Sequence, residues 1–369
     1  MSKIMRFLLD QAYRQRIAAS GTFELTARCN LSCAMCYIHK KEHDPIALEK
    51  ELPTEFWLDM VKQLREAGTL TLLLTGGEPL LRKDFTEIFL ACKKAGIVPS
   101  FNTNGTLIND ELVEFLRAYP PAKINVSLYG SSAESYKALC GNGEVFHRVY
   151  ENLKKLKAAD LPVKINYTVT QHNIADAPEI FAIAKELGAP IQAATYMYPP
   201  MRAEENGCVQ NCRVAPEVAA QHRLRCEKLR FSPAEFEVWR QSVLEGRALM
   251  QEDPDELRSP SERICCRAGT SSFWITYDGR LLPCGMMETP AVSLRDMSFS
   301  AAWEEIKQET NKIFLPAQCT DCSLRHHCDV CAASCYAETG RFDAVPEYAC
   351  RMTKEMAKLL LGENNETQQ

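Results

Sequence analysis

Residues 69–79 read TLTLLLTGGEP, a short apolar run that ends at two adjacent glycines and an acidic residue. The run at Thr69–Thr75 predicts a β-strand. Helical patterns lie on either side of it, at Thr54–Ala67 with Thr54 as the N-cap and at Asp84–Ala95. A strand this apolar between two helices is typical of a parallel sheet with both faces covered.

The same strand–helix alternation runs from about residue 20 to residue 200. Strand-like runs occur at Thr22–Thr26, Thr69–Thr75, Val98–Asn102, Lys123–Leu128, Val163–Thr170 and Pro190–Tyr198. Helical patterns separate them, at Thr54–Ala67, Asp84–Ala95, Asp110–Tyr119, Glu144–Ala159 and Asp176–Leu187. Six strand–helix units are too few for the usual eight-fold closed barrel. The predicted fold class is therefore α/β, a partial, TIM-like (β/α)6 barrel that is open on one side.

The sequence changes character after the barrel. A polar linker carries helical patterns at Pro216–Lys228 and Pro233–Met250. Hairpin signals at Phe273–Tyr277 and Arg280–Pro283 then precede a helix near Ala301–Lys312 and a cysteine-dense segment. We predict five segments: an N-terminal extension at 1–19, the barrel at 20–200, a helical linker at 201–263, a cysteine-rich domain at 264–352, and a C-terminal helix and tail at 353–369.

Composition excludes several classes of function. The chain has 369 residues, of which 46% are hydrophobic and 25% charged, as is ordinary for a globular protein. Its net charge of -5 provides no global basic field for nucleic acid or anionic lipid. No apolar run approaches the ~18 residues of a membrane span, and Met1–Ser20 lacks the apolar segment of a signal peptide. We expect a cytoplasmic protein with no nucleic acid and no membrane as partners.

The abnormal feature of the composition is its 17 cysteines. A reducing cytosol disfavours structural disulfides, so this many thiols indicate metal or redox chemistry. Free cysteine also behaves as a small buried hydrophobe, which accounts for isolated residues such as Cys92 and Cys140. It does not account for clustering, and these cysteines cluster towards both ends of the chain.

Cys29, Cys33 and Cys36 follow the first predicted strand, so they occupy a loop at a strand's carboxyl end, where α/β folds build their sites. Three thiolates at these spacings can ligate three irons of a four-iron cluster and leave the fourth iron open. The alternatives are half of a zinc site, completed by His39 or His43, and three core cysteines.

Gly76, Gly77 and Glu78 occupy the corresponding place after the next strand. Adjacent glycines admit a ligand close to the backbone, and a carboxylate there can bind an ammonium group; alone, the tripeptide is also explained by a tight turn. Together with the three cysteines it resembles the signature of the radical S-adenosylmethionine (SAM) enzymes. The resemblance implies that the amino and carboxylate groups of SAM chelate the open iron, with Gly76 and Gly77 as cofactor-binding residues and Glu78 holding the amino group.

Polar residues close the later strands. Asn102 and Asn104 end the third strand and Ser127 ends the fourth. In enzymes of similar sequence, residues at these places contact the cofactor or the substrate, although Asn-Gly and Tyr-Gly are also ordinary turn sequences. On the fifth strand Asn166 and Thr168 face the barrel interior together, by the two-residue period. We take Asn102 and Ser127 as the candidate cofactor contacts.

A second group of cysteines lies near the C-terminus, and its two pairs at two-residue spacing also suit a zinc ribbon. The whole pattern resembles the SPASM domain of radical SAM peptide maturases, which carries two auxiliary 4Fe–4S clusters. The resemblance implies an outer cluster on Cys319, Cys322, Cys328 and Cys350 and an inner cluster on Cys266, Cys284 and Cys331. The spacing before Cys331 is two residues where that family has three, so Cys335 is an alternative to Cys331. The fourth inner ligand is Cys265, Cys335 or none.

The resemblance also implies a function. With three 4Fe–4S clusters and SAM, the protein would cleave SAM reductively to a 5′-deoxyadenosyl radical and oxidatively modify a peptide, forming a thioether or carbon–carbon crosslink. An external electron donor such as flavodoxin or ferredoxin is implied. Because the barrel begins near residue 20, we expect direct substrate binding or a separate leader-recognition protein. The alternatives are a maturase of a folded protein or small molecule and, in a different class, a non-catalytic zinc or iron–sulfur scaffold.

Three local features bear on the substrate. Cys284 is followed by glycine and two methionines, whereas sulfatase-maturing relatives place an acidic base there, which argues against that chemistry. The segment Tyr196–Arg202 lines a peptide groove or is a proline-stiffened loop exit. Cys208, Cys212 and Cys226 in the linker handle substrate, are redox-active or are free thiols, and we expect free thiols.

Overall fold

The structure is a computed structural model that describes residues 3–38, 40–199, 212–245, 263–264, 266–328 and 330–366. The six predicted barrel strands are present in it. In chain order the strands are β1 (Ser20–Glu24), β2 (Arg28–Cys29), β3 (Lys40–Lys41), β4 (Thr71–Thr75), β5 (Val98–Thr103), β6 (Ile124–Ser127), β7 (Val163–Thr168), β8 (Ile191–Ala194), β9 (Ser272–Ile275), β10 (Arg280–Leu282) and β11 (Val292–Ser293).

Nine of these strands form one sheet in the order β11-β10-β9-β1-β4-β5-β6-β7-β8. The pairs from β1 to β8 are all parallel, which confirms the predicted α/β class with a mostly parallel sheet. The predicted hairpin at β9 and β10 is also present, and β9 pairs in parallel with β1. The C-terminal hairpin therefore extends the sheet of the barrel.

The five predicted barrel helices are α3, α4, α5, α7 and α8. The helices are α1 (Lys3–Gln15), α2 (Pro45–Lys50), α3 (Thr54–Glu66), α4 (Phe85–Lys94), α5 (Asp110–Ala118), α6 (Ala133–Cys140), α7 (Val145–Ala158), α8 (Ala177–Glu186), α9 (Pro216–Arg230), α10 (Pro233–Leu244), α11 (Phe299–Thr310), α12 (Ala317–Thr320), α13 (Ala332–Thr339) and α14 (Glu347–Glu366). No helix among the described residues is long and apolar enough to cross a membrane.

Two local predictions need correction. Thr54 is not the N-cap of α3, because Pro53 precedes the helix and the Thr54 hydroxyl donates to Asp84 Oδ2 at 2.6 Å instead. Helix α6 was not predicted, although it carries its own start and stop signals. The Ser132 hydroxyl caps its first turn, and Gly141 ends it with a φ of 78°.

One predicted segment limit falls inside an element. Helix α14 runs through the limit at residues 352 and 353, and its Met352 and Met356 share a hydrophobic core with Ala219 and Leu224 of linker helix α9. The linker and the C-terminal helix therefore pack as one layer. The five segments remain predictions.

The alternation of side chains along the strands decides which residues face the interior of the barrel. On β5 to β7 the fully buried residues, such as Phe101, Val126 and Ile165, pack in the main core with the helices. The residues between them, among them Asn102 and Asn125, are half-buried and polar. By the two-residue period these polar side chains face the interior of the barrel.

Candidate active site

The first thiol cluster lies where the sequence placed it, in the loop that leaves β1. Leu25 N donates to Thr75 O at 2.8 Å, which ties the start of this loop to the end of β4. Cys36 N donates to Cys33 O at 3.0 Å, so the chain folds back tightly between these two cysteines. Cys33 is buried, and Cys29 and Cys36 are half-buried.

The environment of these thiols opposes their ionisation. Burial, together with the charges of Glu78 and of the other two thiols, raises the pKa of Cys29 to about 12. The hydrogen bond between the Cys33 and Cys140 thiols, together with burial, raises the pKa of Cys33. Metal ligands must be deprotonated, so thiolates in this loop require a positive metal centre to compensate them. The shared loop and the mutual interaction of the thiols fit a four-iron cluster; the ligand roles remain predictions.

An ion-pair network holds the beginning of the cysteine loop. The Arg28 guanidinium donates to Glu51 at 2.7 and 3.0 Å, and the Thr26 hydroxyl donates to the same carboxylate. The Arg82 guanidinium donates to the carbonyl oxygens of Leu25 and Leu52. These contacts fix the backbone one residue before Cys29.

Gly76 and Gly77 are required by a close approach of two backbone segments. Gly77 N donates to Thr26 O at 2.7 Å, and Glu78 N donates to Arg28 O at 2.8 Å. A Cβ atom on Gly76 would lie 2.3 Å from Thr26 O, and one on Gly77 would lie 2.2 Å from Arg28 O. The space that these glycines leave is therefore filled by the cysteine loop itself. Their predicted contact with the cofactor remains a prediction.

Glu78 is a fully buried carboxylate. It accepts hydrogen bonds from Leu80 N at 3.1 Å, from the Thr103 hydroxyl at 2.9 Å and from Asn104 N at 2.7 Å. Burial raises the pKa of Glu78 to about 7, although these hydrogen bonds oppose the rise. All three donors are neutral, so a cation at this carboxylate would recover part of the desolvation cost. The arrangement fits the ammonium group of an amino acid.

Asn104 connects this carboxylate to the thiols. Its backbone N–H binds Glu78, and its side-chain nitrogen lies 3.6 Å from Cys29 Sγ and 2.8 Å from Asn30 Oδ1. The sequence analysis preferred Asn102, which instead donates to the Thr75 hydroxyl at 3.2 Å and accepts from Asn125 Nδ2 at 3.0 Å. Asn102 therefore belongs to a polar ladder inside the barrel.

Ser127 and Asn166 are paired on neighbouring strands β6 and β7. Ser127 hydrogen-bonds the Tyr129 side chain, and burial raises the pKa of Tyr129. The Asn166 Oδ1 atom is buried and has no hydrogen-bond partner among the described residues. Both residues lie on the interior face, where a ligand can use them.

Cys140 is a buried core cysteine, as predicted, but it is not isolated. It is the last residue of α6, it is almost fully buried, and its thiol is hydrogen-bonded to Cys33. The signal that was available is the Ser132–Gly141 pair of helix caps, which defines α6. The contact with Cys33 depends on how α6 packs, and no local pattern encodes that.

The four cysteines predicted for the outer auxiliary cluster lie together. Cys319, Cys322, Cys328 and Cys350 line one small cavity of about 40 Å³, whose wall also includes Val330 and Pro346. The Thr353 hydroxyl lies 3.4 Å from Cys328 Sγ. Four thiols around one mostly apolar cavity fit a closed iron–sulfur site.

The structure brings together only part of the set of cysteines predicted for the inner auxiliary cluster. Cys331 caps helix α13 and its sulfur lies 3.4 Å from the Tyr198 hydroxyl, while the thiols of Cys331 and Cys284 both raise the pKa of Tyr198 after burial. Cys284 and Cys331 each accept a backbone N–H at 3.4 Å. Cys335 is fully buried inside α13 and its thiol interacts with that of Cys331, so both stay candidate ligands. Cys266 is half-buried ahead of β9.

Other predicted residues play no visible part in these groups or lie outside the described residues. His39, Cys208, Cys265 and the stretch 200–202 lie outside them. Cys226 is buried, and burial raises its pKa to about 12, which keeps the thiol protonated. Tyr196, at the start of the predicted peptide groove, donates to Glu338 of α13 and packs edge-on against Tyr198 at 4.9 Å between ring centroids.

A large cavity lies beside the barrel, and no motif of the sequence indicated it. It has a volume of about 860 Å³ and lies between β8, helix α9 and helix α14. Its wall includes Tyr196 and Tyr198 and several basic side chains. It connects the open edge of the sheet with the region of Cys331.

Comparison with known proteins identifies the domain. A model of the radical SAM superfamily matches residues 23–184. An AdoMet-dependent heme synthase of Methanosarcina barkeri is 29% identical over 328 residues, which cover 87% of this chain and 93% of that protein. A PqqA peptide cyclase of Granulibacter bethesdensis is 24% identical over 343 residues, covering 89% and 86% respectively.

Solved structures show the same fold. Streptococcus suis SuiB bound to S-adenosylmethionine matches 92% of this chain and 80% of its own with a TM-score of 0.66 and 16% identity. Native anSMEcpe with bound AdoMet matches 95% of this chain and 100% of its own with a TM-score of 0.68 and 19% identity. At these identities the likeness concerns the fold.

Proposed function

We propose that this chain, whose residues 23–184 match the radical SAM superfamily, holds a 4Fe–4S cluster on Cys29, Cys33 and Cys36 and cleaves SAM reductively beside Glu78. One observation carries the proposal. Asn104 binds the Glu78 carboxylate through its backbone and lies 3.6 Å from Cys29 Sγ through its side chain. The thiols and the buried carboxylate therefore belong to one site.

The cluster, when bound, supplies the strongly reducing electron that breaks the sulfonium of SAM and so starts hydrogen abstraction from the substrate. The chain's own residues bind and orient. Glu78 holds the ammonium group, and the Arg28–Glu51 pair fixes the loop that carries the thiols. Asn102, Ser127 and Asn166 offer polar groups along the interior face, where the nucleoside and the substrate lie.

We assign the C-terminal cysteines to two auxiliary clusters. The cavity shared by Cys319, Cys322, Cys328 and Cys350 supports the outer cluster, and the proximity of Cys284 to Cys331 supports the inner one. A substrate radical that loses an electron needs an acceptor, so two further clusters indicate an oxidative outcome. Flavodoxin or ferredoxin would supply the first electron.

A peptide is the first candidate substrate. One relative is named a peptide cyclase, and SuiB has a solved structure with its precursor peptide SuiA. Strand β8 is an edge of the described sheet, and the cavity beside it gives room for part of an extended chain. A separate leader-recognition protein is compatible with this arrangement.

A tetrapyrrole is the second candidate. Relatives named AdoMet-dependent heme synthase and Fe-coproporphyrin III synthase align with 87% and 90% of this chain. The 860 Å³ cavity favours this candidate, because its mixture of tyrosines and basic side chains suits a flat, acidic molecule.

Anaerobic reconstitution tests the proposal. We expect about twelve irons per chain, from three four-iron clusters, and release of 5′-deoxyadenosine from SAM under dithionite. Bound zinc without SAM cleavage would overturn the proposal in favour of a scaffold. Incubation with iron-coproporphyrin III followed by mass spectrometry then tests the second candidate, which an unchanged mass would contradict.

A further inference from the structure

The large cavity is built around the open edge of the sheet. Strand β8 is the last strand of the described sheet, and it forms one wall of the cavity. Met352 and Met356 of α14 contribute another wall. The volume of about 860 Å³ lies in the range of small-molecule binding sites. Other parts of the chain therefore cover the open edge and still leave room for a ligand.

The charged residues of this cavity are mostly basic. Among the described residues that line it, four carry a positive charge and one a negative charge: Lys123, Lys164, Arg223, Arg230 and Glu227. The chain as a whole has a net charge of -5, so this local excess of positive charge runs against the composition. A local excess of one sign attracts ligands of the other sign.

The described residues only partly compensate the positive charges of Lys164 and Arg230. Glu227 pairs with Arg230 at 3.0 Å, whereas the ammonium group of Lys164 donates to the neutral amide of Gln192. Arg230 Nε is buried and has no hydrogen-bond partner among the described residues. Burial lowers the pKa of Lys164, and the nearby charges of Lys123 and Arg230 lower it further. An anionic ligand would relieve this repulsion.

Resting on the proposed radical SAM function, we propose that Lys123, Lys164 and Arg230 form a subsite that binds carboxylate groups of the substrate. Lys123 directly precedes β6 and Lys164 is the second residue of β7. Both lie at the amino ends of parallel strands, whereas the thiols and Glu78 follow the carboxyl ends. The subsite therefore holds the end of the substrate that does not react.

The length of β7 supports this division between a bound end and a reacting end of the substrate. Lys164 and Thr168 lie on the same face of β7, roughly 13 Å apart at about 3.3 Å per residue. Tyr198, four residues after the carboxyl end of β8, also lines the cavity, and its hydroxyl lies 3.4 Å from Cys331 Sγ. A molecule anchored at Lys164 extends along apolar and aromatic walls towards the strand ends. Carboxylates of this kind come from a porphyrin or from acidic side chains of a peptide.

A binding experiment on the reconstituted protein tests the subsite. The probes are metal-free coproporphyrin III, which has four carboxylates and is followed by its fluorescence, and a fluorescein-labelled hexaglutamate peptide. We expect Lys164→Gln to weaken binding of whichever probe binds by about ten-fold, the loss of one charge-assisted hydrogen bond. Lys123→Gln, at an exposed position, gives a second variant that leaves the fold intact.

Two controls make the result specific. Lys185→Gln makes the same charge change on exposed helix α8, outside the cavity, and we expect unchanged affinity. The tetramethyl ester of coproporphyrin keeps the ring and lacks the acids, and we expect it to bind at least about ten-fold more weakly. Equal affinity of the acid and the ester, or equal affinity of wild type, Lys164→Gln and Lys123→Gln, would overturn the subsite.

The two proposals fail in different ways. If wild-type protein cleaves SAM but binds neither probe, the subsite is wrong and the proposed function stands. If a probe binds with the expected dependence on Lys164 but SAM is not cleaved, the subsite stands as a site and the proposed function is wrong. Binding of the porphyrin alone assigns the carboxylates to a tetrapyrrole, and binding of the hexaglutamate alone assigns them to a peptide.

Discussion

The N-terminal and the outer C-terminal thiol groups are built in different ways. The three N-terminal cysteines, Cys29, Cys33 and Cys36, lie in the loop that follows β1. The buried carboxylate of Glu78 lies beside this loop. The outer group comes from α12, the turn that ends at Cys328 and helix α14, and it surrounds a cavity of about 40 Å³ with apolar walls. Under the proposed assignments, three thiolates beside a carboxylate leave a position open for SAM, whereas four thiolates close the outer site.

The difference also concerns what holds each site without metal. Strand hydrogen bonds and the Arg28–Glu51 pair shape the N-terminal loop. Apart from Cys350, which lies on helix α14, the outer group lies on the short helix α12 and around the turn at Arg325–His327. Metal binding to such a segment also contributes to its folding. We therefore expect the N-terminal loop to keep its shape without metal and the outer site to depend more on bound metal.

Cys33→Ala should produce the largest effect. Two thiols do not hold the proposed cluster, so we expect no measurable SAM cleavage and a loss of about four irons per chain. Cys92→Ala, which removes another fully buried thiol remote from the site, is the matched control and should keep both properties. Iron analysis and 5′-deoxyadenosine release measure the outcome, and retained cleavage in Cys33→Ala would disprove the ligand assignment.

Cys322→Ala should separate the two regions. This exposed residue lines the outer cavity, so its loss should remove about four irons while SAM cleavage without substrate persists. Substrate modification should stop, because the electron acceptor is incomplete.

The pair Cys331→Ala and Cys335→Ala tests which of these residues is the inner ligand. We expect iron loss in the first variant only, and the reverse result would make Cys335 the ligand.

Glu78→Gln should weaken SAM binding by about 10- to 100-fold, the contribution of a charge-assisted hydrogen bond in a buried site. The pH dependence gives a second signature. Because burial raises the pKa of Glu78 to about 7, the carboxylate is increasingly protonated as pH falls below that value. SAM affinity should therefore fall about ten-fold per pH unit below 7 in the wild type. A Glu78→Gln profile with the same slope would show that another group is responsible.

The sequence was informative where the structure is local. The six barrel strands and five barrel helices could be predicted because apolar runs, glycine stops and capping residues act over a few positions. The contact between Cys33 and Cys140 could not, because it depends on the packing of α6. The basic cavity could not be predicted for the same reason, because Lys123, Lys164 and Arg230 come from three separate parts of the chain.

The smallest expected effect comes from two ion pairs that are matched in geometry. Arg28–Glu51 near the first thiols and Arg213–Glu338 beside α13 both have an N–O distance of 2.7 Å, with side chains 13% and 10% exposed in the first pair and 13% and 9% in the second. Neutralising either acid, in Glu51→Gln or Glu338→Gln, leaves a half-buried guanidinium without its counter-charge. We expect each to lower the free energy of unfolding by about 2 kcal/mol.

The functional consequences of these two variants should differ. Glu51 fixes the residue before Cys29, so Glu51→Gln should reduce SAM cleavage. Glu338 accepts from Tyr196 and Arg213, so Glu338→Gln should leave SAM cleavage intact and reduce substrate modification, because it loosens the cavity wall next to Cys331. Denaturant unfolding and SAM cleavage, measured on both variants, give the comparison. Equal loss of SAM cleavage in both variants would contradict the expectation that each ion pair affects only its own region.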